Sequence, residues 1–166
     1  MNRRLIDALV LLLLVSPLLL LWVTAQSLPD PLASHFNAAG QVEGHASRGE
    51  FLWVMSMVLA LPLLLGTALP ALIQRLPTSL IDLPNKDHWV SPEREPATRA
   101  FLCTWFKLFA LALAAFLTSV YALTLQAQAL QPPALNSSVM HTALLSFGVV
   151  TAGLTVWLLL HFGRRR

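Results

Sequence analysis

Four runs of apolar residues, each about as long as a bilayer is thick, constrain this chain more than anything else in it. A helix rises about 1.5 Å per residue, so about 20 apolar residues cross the hydrocarbon core. Such runs lie at 5–25, 51–73, 100–125 and 139–162. A backbone in lipid finds no water to bond, so spans of this length are predicted to be helices. Composition agrees, because 56% of the residues are hydrophobic and 11% charged, against about 25% charged in soluble domains. The expected fold class is all-α: a polytopic membrane protein, a bundle of four transmembrane helices with a short structured extracytoplasmic loop. It forms one membrane domain over 1–166, with connections at 26–50 on one side and 74–99 on the other. The first run also reads as a secretory signal peptide, since Arg3 and Arg4 precede it and Val23-Thr24-Ala25 resembles a cleavage site. Its apolar core exceeds the roughly 7–15 residues of such peptides, which favours a retained anchor.

Charge predicts the orientation. Arg3, Arg4, Arg75, Lys86, Arg94, Arg99, Arg164, Arg165 and Arg166 all fall on one side of the four spans, leaving Arg48 on the other and Lys107 inside a span. By the positive-inside rule both termini and the 74–99 connection are cytoplasmic, and 26–50 faces outward. Trp22 and Trp53 at the outer ends, with Trp89, Trp105 and Trp157 toward the inner face, fit the interfacial preference of tryptophan. The net charge of +3 comes from residues at the ends of apolar runs and forms no basic stripe, which argues against nucleic acid as a partner. A single cysteine, Cys103, excludes an intrachain disulfide.

Ionisable groups within the spans are few. Asp7 lies near the inner edge of the first and Lys107 about two turns into the third, where the two can pair. His141 and His161 sit near the ends of the fourth. No carboxylate occupies a span centre, which argues against a proton-coupled transporter or ion channel. The spans hold no H-E-x-x-H, no G-x-S-x-G and no phosphate-binding glycine loop, so no enzymatic activity and no cofactor are expected. Pro62, Gly66 and Pro70, at four-residue steps, predict a bent second helix. Ala110, Ala112, Ala114, Ala115 and Ser119 in the third span, and Gly148 with Ala152 in the fourth, are expected at close helix contacts.

The outer connection is the least apolar part of the first half. Ser47-Arg48-Gly49-Glu50 fits a capping box and places the second helix start at Ser47. Leu28-Pro29-Asp30-Pro31 ends the first helix. Asn37, Gly40 and Gly44 suit positive φ, so a run of turns or a small hairpin is expected, resting on the helix ends or on a partner. His35, Glu43 and His45, with Asp30, offer imidazole and carboxylate donors for zinc or copper, but nothing in their spacing enforces convergence, and no metal is expected.

This stretch, LPDPLASHFNAAGQVEGHASRGEF, resembles the extracytoplasmic motif of the SdpI-like family of bacterial membrane proteins, which carry a domain of unknown function. Leu28, Pro29, His35, Phe36, Asn37, Gly40, Gly44 and Ser47 match the family pattern. Glu43 stands for its usual aspartate, Arg48 for its usual lysine, and Ala33 for a proline. LPNKDHWVSPERE resembles a second family segment on the cytoplasmic side, through Asn85, Lys86, Trp89, Pro92, Glu93 and Arg94. The cytoplasmic segment also reads physically as an interfacial anchor, with Trp89 in the headgroup layer and Lys86 and Arg94 on anionic lipid.

The resemblance implies a bacterial inner-membrane protein of immunity or sensor type, its named member protecting the cell against a secreted peptide toxin and signalling inward to a cytoplasmic repressor. Under that implication His35, Phe36, Asn37, Gly40, Glu43, Gly44, Ser47 and Arg48 bind the ligand, the proline-rich helix transmits a shift, and Asn85–Arg94 meets a cytoplasmic or membrane protein partner. Two other readings stand beside it: an accessory subunit of a larger membrane complex, and a metal-binding membrane protein. Membrane lipid is a partner in all three.

Overall fold

The structure, a computed structural model, describes residues 3–163, so the predicted basic cluster Arg164, Arg165 and Arg166 lies outside the described residues. Helix α1 (Arg3–Thr24) passes through a 3-10 turn, Ala25–Ser27, to the strands β1 (Leu32–Phe36) and β2 (Val42–Ala46), then to α2 (Arg48–Leu63). A π turn, Leu64–Ala68, joins α2 to α3 (Leu69–Ile73) without leaving the helical path. A 3-10 turn at Thr78–Leu80 and the single-turn α4 (Lys86–Trp89) lead to α5 (Glu95–Gln128) and α6 (Ser137–Gly163). Four stretches, Arg4–Ser27, Arg48–Ile73, Glu95–Gln128 and Ser137–Gly163, are long and apolar enough to cross a membrane. The chain is a multi-pass membrane protein of the expected all-α class, with the hairpin at one end of the helices and α4 at the other.

Helix α5 organises the rest: α1, the second span and α6 all pack on it. It begins at Glu95, earlier than apolarity alone predicts, with Pro96 in its first turn where a missing N–H costs nothing. At 34 residues it is about 51 Å long, well beyond the hydrocarbon core of about 30 Å. Leu14 of α1 is fully buried on Ala110 and Ala114, and Leu21 and Leu59 close on Tyr121 nearer the hairpin. Small residues at 110 and 114 let the helices approach, as expected. Within the second span Pro62 and Pro70 each lack an amide donor, so the α ladder cannot run unbroken. The chain slips into π register between them, and Leu69 N–H donates to Leu64 O. Gly66, in that turn, is buried where α1, the second span and α5 meet; a Cβ there would stand 2.5 Å from Leu14 Cδ1 and 3.1 Å from Ala110 Cβ.

The α5–α6 contact departs from expectation. Gly148 and Ala152 are exposed, and a Cβ added at Gly148 would meet nothing within 4 Å. Aromatic rings hold α6 instead: Phe147 stacks on Phe116 at 4.8 Å and meets Phe109 at 6.3 Å, and Phe101 lies parallel to His161 at 3.8 Å. Trp105 Nε1 donates to Leu154 O at 2.8 Å. Flat rings bury more area per contact than a glycine face, and that difference selects the face of α6 that meets α5. Ala112, Ala115 and Ser119 do face this helix, lining a groove beside it.

Candidate functional site

The hairpin is built from its turn outward. Asn37 Oδ1 accepts from Ala39 N (3.0 Å) and Gln41 N (2.9 Å), while its Nδ2 donates to Gln41 Oε1 at 3.2 Å. Asparagine thus stands in for a backbone turn. Gly40 takes φ +82°, and a Cβ on it would fall 2.1 Å from Leu135 O. Of the three predicted positive-φ positions only Gly40 adopts one; Asn37 and Gly44 do not, and Asn85 does, at φ 56°. Gly44 instead lies across from His35, where β1 carries an irregularity in its register.

The hairpin rests on helix ends, as a unit of its size must. Arg48 N–H donates to Asp30 Oδ1 at 3.1 Å, so Asp30 completes the start of α2. The capping box is present as expected: Ser47 N donates to Glu50 Oε2 (3.0 Å) and Glu50 N to Ser47 Oγ (3.3 Å). At the far edge, Gln128 from the last turn of α5 behaves as a third strand. Its Oε1 accepts from Ala33 N at 3.1 Å and its Nε2 donates to Ala33 O at 2.6 Å. The α5–α6 connection adds a bridge between Gln41 and Ala134 and a bond from Leu135 N to Gly40 O of 2.8 Å. Thr24 Oγ1 and the Tyr121 hydroxyl meet at 2.6 Å below.

These anchors leave a cleft of about 290 Å³ between hairpin and helices. Ser34, Phe36, Asn37 and Ala38 form one wall; Phe51 and Met55 from α2, Val120 and Thr124 from α5, and Leu135, Ser137, Met140 and His141 form the others. Its apolar lining with a few hydroxyls and one imidazole suits an apolar group bearing a polar end, at the lower limit of the roughly 300–1,000 Å³ typical of ligand pockets. Of the predicted ligand-binding residues, Phe36 and Asn37 line it. His35 is exposed and bonded through Nδ1 to Ser34 Oγ at 2.9 Å. Gly40 and Gly44 shape the backbone, Ser47 and the Arg48 amide serve the start of α2, and Glu43 is exposed on β2. Met140 and His141 escaped the sequence reading because only the fold brings the start of α6 beside β1.

No three His, Cys, Asp or Glu side chains among the described residues gather in a way that could hold a metal. The proposed donors are dispersed: Asp30 is committed to α2, while Glu43 and His45 stand exposed on β2.

At the other end, the residues of the second motif close helix termini. Trp89 Nε1 and Asn85 Nδ2 donate to Phe162 O at 3.0 and 3.2 Å, satisfying a carbonyl that the end of α6 leaves open. The Trp89 ring stacks on His161 at 5.1 Å. Lys86 Nζ donates to Ser79 O at 2.7 Å, and Arg94 contacts His88 Nε2. Pro92 and Glu93 form the exposed turn that Ser91 starts, with Arg94 N donating to Ser91 O at 2.9 Å. Arg99, read from sequence only as a cytoplasmic charge, is buried: it donates to Ile73 O, to Leu76 O at 2.6 Å and to Glu95 Oε1 at 2.8 Å. A cation at the end of α3 also opposes that helix's dipole. The Glu95/Arg99 spacing of four residues was its visible signal.

Residues 12–60, under a third of the chain, match the family model of a domain of unknown function, DUF1648. The matched segment holds most of α1, the whole hairpin and most of α2. No curated protein and no solved structure matches the chain.

Proposed function

We propose that this chain is a non-enzymatic receptor of the bacterial cytoplasmic membrane, SdpI-like, that takes the apolar segment of an extracytoplasmic peptide into the cleft between the hairpin and the helix ends. The cleft itself is the observation that supports this reading: it is bounded by the hairpin of the DUF1648 segment together with α5 and α6. Phe36, Phe51, Met55 and Met140 supply apolar area, and methionine adapts its shape to irregular partners. His141 and Ser137 meet the polar end of the bound segment. In this reading the hairpin end faces outward, both termini are cytoplasmic, and the role is immunity or signal transduction.

Reception is coupled inward along the second span. The hairpin is continuous with α2 through the cap at Ser47, and α2 ends in a π turn whose register is held by two prolines. A π turn stores an alternative α register, so a small shift of α2 has a discrete response available. The exposed Pro92–Arg94 turn at the α4 end is where a cytoplasmic partner reads it.

Photocrosslinking tests the reading. A benzophenone side chain placed at Ala38 or Met140, in the producing bacterium supplied with its own culture fluid, is expected to capture a secreted peptide, whereas one at Glu43 is not. Equal capture at all three positions, or only lipid at the cleft positions, would refute it.

A further inference from the structure

A second cleft, of about 530 Å³, lies at the opposite end of the bundle between α1, the second span and α5. Asp7 sits about 6 Å along α1, and α5 continues about 18 Å from Lys107 to its own start at Glu95. Its outer side is open, since Asp7, Leu11, Thr67, Ala71 and Gln74 are all exposed. One rim carries the ion pair anticipated from sequence, Lys107 Nζ to Asp7 Oδ1 at 2.8 Å. The pair is not sealed; the two side chains keep 38% and 52% of their surface. Gln74 adds an amide beside it, bonded to Cys103 Sγ at 3.2 Å, and Val10, Leu11, Pro70 and Ala71 add apolar wall.

Depth and charge identify the occupant. Lys107 is separated by about 32 Å of helix from Gln128, whose side chain meets the hairpin at the other boundary. With Gln128 taken as one boundary, that distance matches the hydrocarbon core and sets the ion pair at the level where headgroups meet acyl chains. A free anion entering here meets Asp7, and a free cation meets Lys107. A molecule carrying both charges a few ångströms apart finds a partner for each in the Asp7–Lys107 pair. We propose that this cleft binds one zwitterionic aminophospholipid, its phosphate on Lys107 and Gln74, its ammonium on Asp7, and an acyl chain along Val10, Leu11 and Ala71. The ammonium of Lys107 has three donors, of which Asp7 takes one, so it holds phosphate without giving up the pair.

The test is native mass spectrometry of the full chain, purified and delipidated in detergent, then titrated with phosphatidylethanolamine or phosphatidylglycerol. One phosphatidylethanolamine per chain is expected to be retained, with at least tenfold weaker retention in Lys107→Gln and in Ala71→Trp, which fills the cleft and leaves the ion pair in place. Lys107→Arg is expected to retain it. If Lys107→Gln fails to fold, Ala71→Trp decides alone. Equal retention by the wild type and Ala71→Trp, equal retention of phosphatidylglycerol, or no retained lipid would each overturn the assignment.

Discussion

The clamp of Gln128 on β1 gives a sharp quantitative expectation. Ala33 is 1% exposed, and both its N–H and its C=O are met by the Gln128 amide. Replacing Gln128 with leucine keeps the bulk of the side chain and removes both partners. A buried polar group left unpaired costs about 1–3 kcal/mol. Taking the lower half of that range for each group, because the hairpin lies at the water-facing end, the docked hairpin loses about 2–4 kcal/mol relative to the open one. At about 1.4 kcal/mol per factor of ten, opening becomes roughly 30- to 700-fold more frequent. Hydrogen exchange of the backbone amides of β1, measured in lipid nanodiscs, reads that opening directly. Exchange within threefold of wild type would refute the reasoning, since it would mean that Ala33 does not depend on Gln128 for its bonding.

Three further comparisons probe other parts of the fold. Gly66→Ala forces a methyl group toward Leu14 and is expected to destabilise by about 1–3 kcal/mol in thermal unfolding; combined with Leu14→Val, the loss should fall short of the sum of the two, as contacting sites do. Gly40→Ala, at positive φ and against Leu135 O, should cost about 2 kcal/mol or more, whereas Gly44→Ala, whose nearest neighbour would be His35 Nδ1 at 3.4 Å, should stay within about 0.5 kcal/mol; the pair is compared by thermal unfolding. Trp89→Phe keeps an aromatic ring beside His161 but loses the bond to Phe162 O, and should cost about 1 kcal/mol, with faster exchange confined to the last turn of α6.

Features written locally in the sequence were legible there. Hydropathy located the four spans, the Ser47–Glu50 spacing gave the start of α2, and a lone acid and a lone base at matching depth gave the Asp7–Lys107 pair. Features that depend on distant partners were not. Gln128 looks like any polar residue at the end of a span, because its partner is 95 residues away. Arg99 counted as a cytoplasmic charge, and only the meeting of α3 with α5 shows that it closes a helix. The small residues of α6 suggested a packing face, yet competing aromatic surface on the same helix prevailed. The cleft beside the hairpin was half visible: Phe36 and Asn37 belong to the recognised stretch, while Met140 and His141 come from a helix with no local mark of the association.

The attachment of the hairpin to Gln128 also fixes an order of events during synthesis. The strand that carries Ala33 leaves the ribosome 95 residues before the glutamine that completes it. At about 5–20 residues per second, roughly 5–20 s pass in between. Throughout that interval the outer edge of β1 has no chain to pair with, and an unpaired strand edge is a template for wrong partners. Proper maturation of the hairpin end therefore waits on insertion of the third span, and a chain halted before α5 displays its hairpin without the shape that the finished protein gives it.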